Sequence, residues 1–185
     1  MKDDSRLIPA GSQTVGPFFR IGLDYLIDRA PVLDADVAGR VEIRGRVLDR
    51  DGTPVPDAVL EFWTPRIAAS TSGQEQYPAG FRRTATDTNG NFAVAVMRPA
   101  AGPLEDGRMQ APHILVLVFA RGLLRHLLTR VYFENEPGNA ADMVLQDIPA
   151  ERRATLIARL DNHQANSYQW DVRLQGQDET VFFAW

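Results

Sequence analysis

The chain has 185 residues, no cysteine, and 24 acidic against 20 basic side chains for a net charge of -4, so disulfides, thiol nucleophiles and thiolate metal sites are excluded. Its densest basic runs, Phe81-Arg-Arg83 and Glu151-Arg-Arg153, are too short to make nucleic acid the main partner. The N-terminus lacks the apolar core of a signal peptide and no run approaches the ~20 apolar residues of a membrane span, so a cytoplasmic protein with no membrane partner is expected.

At this length a single domain burying roughly 70% of its unfolded surface is expected. Residues 1–40 read as an N-terminal arm and linker, and 41–185 as the folded β-sandwich domain. Ser12-Gln-Thr-Val-Gly-Pro-Phe-Phe19 joins two turn formers to adjacent aromatics, an irregular arm that orders only by packing on something. Ile21 to Ile27 reads as a short helix or strand. Val41, Ile43, Gly45 and Val47 alternate with Glu42, Arg44 and Arg46, the period of a half-buried strand. Asp49 to Asp57, with Asp-Gly and two prolines, is a turn, and Ala58 to Thr64 the next strand. Residues 65–80 form a long loop, of the kind that in compact domains is functional or disordered.

Arg83-Thr-Ala-Thr86 and Asn91 to Met97 flank Asp87-Thr-Asn-Gly90, which predicts a tight hairpin with a type I′ turn and two strands paired across it. A second long loop, Arg98 to Pro112, leads to the most apolar run in the chain. Ile114 to Ala120, bracketed by Pro112 and Gly122, reads as a strand covered on both faces. Leu123 to Phe133 gives another strand. Pro149 to Leu160 reads as the one helix, with Pro and Glu in its first turn and Leu156, Ile157 and Leu160 as an apolar edge. Tyr168 to Leu174 and Thr180 to Trp185 close the chain as strands. Many short strands and one short helix near the C-terminus argue an all-β, two-sheet sandwich.

Candidate chemistry is sparse. A metal site on the central strand needs a second ligand two positions after His113, and that position is Leu115. His113 therefore reads as a hydrogen-bonded core or pocket residue. His126 and His163 have no sequence partner that makes a cluster, and Arg121 beside Gly122 reads as a solvated turn cation. No Ser/His/Asp order, phosphate loop or paired-carboxylate motif stands out.

Gly45 to Trp63, Arg83 to Phe92, Ala111-Pro-His-Ile114 and Leu128-Thr-Arg-Val-Tyr-Phe133 resemble, in order and spacing, successive blocks of the intradiol ring-cleaving dioxygenases. The resemblance covers nearly everything after residue 11. It implies a β-sandwich of the intradiol type and cleavage of a catechol by O2 at an Fe(III) held by two tyrosinates and two histidines. This chain departs from that ligand set: His113-Ile-Leu115 stands where the family has His-x-His, Gln110 replaces a substrate-stabilising arginine, and the loop before the strand has no tyrosine. Tyr77 alone remains in the other ligand-bearing loop.

Ser12 to Phe18, Phe119-Ala-Arg-Gly122 and Glu179 to Phe183 further resemble those family members that have lost the metal site and pair with an iron-carrying beta chain. By that resemblance Thr14, Gly16, Pro17 and Arg121 border the substrate, 3,4-dihydroxybenzoate, while the Fe(III) cofactor belongs to the partner beta chain. Two other readings stay open: a metal-free β-sandwich binding module that has lost dioxygenase activity, and a homomeric enzyme with a different metal arrangement.

Overall fold

The structure, a computed structural model, describes residues 10–28, 30, 33–65, 80–104 and 107–184. Its strands in chain order are β1 (Arg40–Leu48), β2 (Val59–Trp63), β3 (Phe81–Ala85), β4 (Asn91–Met97), β5 (Gly102–Pro103), β6 (Met109–Gln110), β7 (His113–Phe119), β8 (Leu127–Phe133), β9 (Ile157–Leu160), β10 (Ser167–Gln169) and β11 (Val172–Arg173). Four short helices accompany them: α1 (Phe18–Ile21), α2 (Tyr25–Asp28), α3 (Met143–Asp147) and α4 (Ala150–Arg153).

The strands form two layers. One runs β4-β1-β10-β9, with β11 following β10 along β1, and the other runs β3-β2-β7-β8. Parallel pairing of β8 with β9 joins them. The alternation read from β1 is realised, since Val41, Ile43 and Val47 are buried between the layers with Leu60, Phe62 and Val116 from the facing sheet. Each such side chain contributes roughly 1.5–3 kcal/mol by leaving water. The sandwich is thus an all-β architecture built on period-two burial.

Several local expectations are corrected. The segments around Asp87-Thr-Asn-Gly90 do not pair as a hairpin: β3 pairs with β2 and β4 with β1, so the turn carries the chain from one layer to the other. Asn89 lacks the positive φ that a type I′ turn requires. Instead the Asp87 carboxylate accepts the amides of Asn89 at 2.8 Å and Asn91 at 2.9 Å, which bends the chain as an Asx turn.

The helix expected over Pro149 to Leu160 ends early. Only Ala150–Arg153 is α-helical, and Ile157–Leu160 becomes β9, because β8 and β10 offer its backbone partners on both sides. Local helix propensity yields to tertiary hydrogen bonding. Tyr168 to Leu174 is broken at Trp170 and Asp171 into β10 and β11, and Arg98 to Pro112 contains the β5–β6 ribbon. Among its described residues the C-terminal segment forms no strand; it meets β8 at an isolated Leu128–Phe183 bridge and where the Thr129 hydroxyl donates to the Val181 carbonyl at 2.8 Å. Trp185 and the loop 66–79 lie outside the described residues.

β7 occupies the centre of its layer, between β2 and β8. Its inner face, Ile114, Val116 and Val118, is wholly buried, while Leu115, Leu117 and Phe119 on the other face are only half-covered. That outer face is where the N-terminal arm lies. No helix among the described residues is long and apolar enough to cross a membrane.

Candidate functional site

Register decides what meets on the outer face. Glu61 of β2 stands between Arg83 of β3 and Leu117 of β7, and Val59 between Ala85 and Phe119. A charged pair so placed would be exposed on an open sheet, but the arm covers it. The Arg83 side chain is 2% exposed, with Nη1 donating to Glu61 Oε1 at 2.6 Å and Nη2 donating to the Phe19 carbonyl at 2.6 Å. Its guanidinium carbon lies 4.5 Å from the centre of the Phe19 ring, which in turn packs 4.6 Å from the Phe119 ring. Burial pushes the Glu61 carboxyl above its ordinary range despite the pull of Arg83, and the same burial lowers Arg83.

The arm is tied at a second point. The Thr14 hydroxyl accepts the Gly122 amide at 2.8 Å and reaches the Ala120 carbonyl at 3.5 Å, so it holds the turn between β7 and β8. Between the ties, the Gly16 and Pro17 carbonyls accept the Phe19 and Ile21 amides at 3.0 and 3.1 Å and start α1. Proline's fixed φ suits this entry to a helical turn. Gly16, Pro17, Phe19, Asp57, Phe119 and Arg121 border a cavity of about 170 Å³. Closed small-molecule sites hold about 300–1,000 Å³, so this cavity is smaller than such a site.

The residues singled out in the sequence therefore converge. Gly16, Pro17 and Arg121 share one cavity, and Thr14 bonds to the residue after Arg121. Arg121 is 65% exposed but not a free turn cation: Nη2 lies 3.4 Å from Asp57 Oδ2, and Asp57 also pairs with Arg20. Asp57, Arg20, Glu61 and Arg83 were not singled out from sequence. The available signal was Glu61, a charge within the apolar run Val59-Leu-Glu-Phe-Trp63.

His113 is buried, with Nδ1 2.8 Å from the Ala111 carbonyl. Leu115 occupies the next position on its face. The Gln110 amide, its oxygen turned toward Arg130, accepts from Nη1 at 2.8 Å and Nη2 at 3.3 Å. Tyr132, whose ring centre is 5.4 Å from that of His113, is held as a phenol: burial raises it from 10.0 to about 12, and it donates to Asp142. His126 is exposed and stacks on Phe119, and His163 sits in an exposed turn. Among the described residues no three His, Asp or Glu side chains gather as a metal would need. One imidazole bonded to a carbonyl, an alkyl neighbour and a protonated phenol do not fit a ferric ion that requires tyrosinates and two imidazoles. Tyr77 lies outside the described residues.

A family model described as Dioxygenase matches residues 24–176. The protocatechuate 3,4-dioxygenase alpha chain of Burkholderia cepacia is 41% identical over 93% of this chain and 95% of its own length. The beta chain of the same organism's enzyme is 28% identical over 92% of this chain and 77% of its own. The fold matches 3-chlorocatechol 1,2-dioxygenase from Rhodococcus opacus 1CP at a TM-score of 0.60 and 18% identity, covering 90% of this chain and 67% of that one. On the family match and the alpha-chain identity together, this chain belongs to the intradiol dioxygenase family.

Proposed function

We propose that this chain is the non-iron-binding alpha subunit of a protocatechuate 3,4-dioxygenase, a hetero-oligomer that cleaves 3,4-dihydroxybenzoate with O2 to 3-carboxy-cis,cis-muconate. The observation that carries the reading is the donor set around His113, which does not suit ferric iron in a chain 41% identical to an alpha chain. The Fe(III) then belongs to an iron-binding beta chain, which supplies the activation of the catechol toward O2. This chain supplies a wall of the pocket.

In that role Gly16 and Pro17 present backbone and a rigid ring to the substrate, without long side chains that would fill the space. Thr14 fixes the turn from which Arg121 projects. Two arginines border this cavity; Arg20 is held in its close pair with Asp57, so Arg121, 3.4 Å from the same carboxylate, is the one suited to the substrate's ring carboxylate, which taken from water needs a donor or an opposite charge. Asp57, held by Arg20, gives Arg121 a carboxylate partner. No residue of this chain moves a proton or an electron in the reaction.

Purifying the chain with and without a candidate beta chain, then measuring iron content and visible absorbance, tests the reading. Alone, it should be colourless and inactive; co-purified, the complex should carry iron, a broad visible band and activity. Stoichiometric, tightly bound iron in the isolated chain would overturn the assignment.

A further inference from the structure

We infer that Arg83, held by Glu61, is a positioning residue that sets the N-terminal arm, and with it Gly16 and Pro17, against the cavity. The substrate consequence of this inference rests on the pocket-wall reading above; the structural consequence does not. Arg83 and Glu61 lie on adjacent strands with side chains 2% and 13% exposed, and a buried ion pair is a poor stabiliser because both charges lose their water. Well-packed apolar residues would hold β2 to β3 equally well. What they cannot do is what Arg83 does with its second nitrogen, which donates to the Phe19 carbonyl while the guanidinium face lies on the Phe19 ring.

The arm needs such a clamp. α1 is a four-residue turn, too short to persist without tertiary support, and none of its residues is buried. Phe18 and Ile21 are exposed. Thr14 secures one side of Gly16 and Pro17, and Phe19 secures the other. The planar guanidinium serves two acceptors at once, Glu61 fixing its orientation and Phe19 receiving the other donor. Asp24, just before α2, and Tyr25, its first residue, also lie in the field of Arg83 and favour its charged form.

Three variants of the full chain separate clamp from core. Glu61→Gln keeps Arg83 and its bond to Phe19; Arg83→Lys keeps the charge but loses the fork; Arg83→Met combined with Glu61→Met removes both charges without leaving either buried alone. Hydrogen exchange would be read at the amides of Phe19 to Gly22 and, as the internal control, along β7. In the double variant the arm amides should exchange at least about tenfold faster, the loss expected for a charge-assisted bond, while β7 keeps its protection. Arg83→Lys should fall between, and Glu61→Gln, which keeps the Phe19 bond but leaves the Arg83 charge without its carboxylate, should loosen the arm less than the double variant.

In complex with the beta chain, the double variant should raise KM for protocatechuate and for catechol alike by roughly tenfold while kcat stays within about twofold. Arm amides that keep their protection, or an arm and β7 that loosen together, would overturn the clamp. An arm that loosens while both KM values hold supports the clamp and overturns the pocket-wall role of Gly16 and Pro17 instead.

Discussion

Tyr132 donates its phenol to the Asp142 carboxylate, Oη to Oδ1 at 3.2 Å, in a cluster where both residues are fully buried. Asp142 also accepts the Ala111 amide at 2.8 Å and the Leu145 amide at 3.0 Å, so one side chain caps α3, fixes the approach to β7 and keeps the phenol protonated. Because the folded phenol titrates at about 12 and a free one at 10.0, its contribution to stability is complete below pH 10 and is lost as pH rises through 12. Tyr132→Phe should cost about 1 kcal/mol near neutrality. By pH 11 the parent should lose roughly 1.4 kcal/mol that the variant keeps, since only the unfolded parent releases that proton, which closes the gap and turns it slightly in the variant's favour. Denaturant melts of both proteins at pH 8 and pH 11 check it, and a constant gap would be the wrong result.

Removing the cap should cost more than removing the phenol. Asp142→Ala leaves two buried amides and a buried hydroxyl without their acceptor, so a loss of at least about 3 kcal/mol is expected. Asp142→Asn keeps an acceptor oxygen and should recover part of it. Urea midpoints at neutral pH measure both.

Gly45 sets a second tight point. A Cβ there would fall 1.7 Å from the Trp170 carbonyl oxygen, at the place where β10 gives way to β11 along β1. The contact is to backbone, which cannot swing aside. Gly45→Ala should therefore destabilise by more than about 3 kcal/mol, beyond the usual range for an overpacked side chain. The same change at Gly11, which has open space around it, should be nearly silent in a thermal melt.

The sequence revealed the parts of the fold that repeat a period and hid those that depend on a remote partner. Val41, Ile43 and Val47 declare β1 by alternation alone. Ile157 to Leu160 looked helical because Leu156, Ile157 and Leu160 fit a helix edge, and only the flanking β8 and β10 make it a strand. Asn89-Gly90 carried the signature of a hairpin turn, but the Asp87 side chain captured the local amides and the chain changed layers. At the candidate site, family resemblance singled out Thr14, Gly16, Pro17 and Arg121. Arg83 and Glu61 were not, because their meeting is fixed by the β2–β3 register and their burial by an arm some 60 positions away, as the Arg83–Phe19 separation of 64 shows.

Assembly should leave its mark on the exposed arm. Phe18 is 78% and Ile21 63% exposed, side by side on α1, with Tyr25 exposed on α2. Apolar residues gathered this way mark interaction surfaces more often than free ones. The isolated chain should self-associate, and adding the beta chain should raise its thermal midpoint. Phe18→Asp with Ile21→Asp should make the isolated chain monodisperse and weaken pairing by at least about tenfold, the effect of losing roughly 1.4 kcal/mol. Analytical ultracentrifugation with and without the partner decides it; a wild-type monomer indifferent to the beta chain would remove this surface from the assembly.

Arg121 gives the sharpest test of substrate recognition. Its guanidinium projects from the β7–β8 turn on the cavity wall, with Nη2 3.4 Å from Asp57 Oδ2. A substrate carboxylate can compete for it, since Asp57 keeps Arg20 as its other partner. A hydrogen bond to a charged group is worth about 1.5–3 kcal/mol once water is excluded. Arg121→Ala in the reconstituted complex should therefore lower kcat/KM for protocatechuate by roughly 10- to 150-fold. Catechol lacks the carboxylate and should lose far less, so the ratio between the two substrates is the quantity to measure. Arg121→Lys keeps the charge on a shorter reach and should restore part of the preference. Asp57→Asn removes the competing charge and should lower KM for protocatechuate without changing that for catechol. Equal losses for both substrates in Arg121→Ala would mean that Arg121 supports the turn or the subunit contact, and that the carboxylate is held by the beta chain.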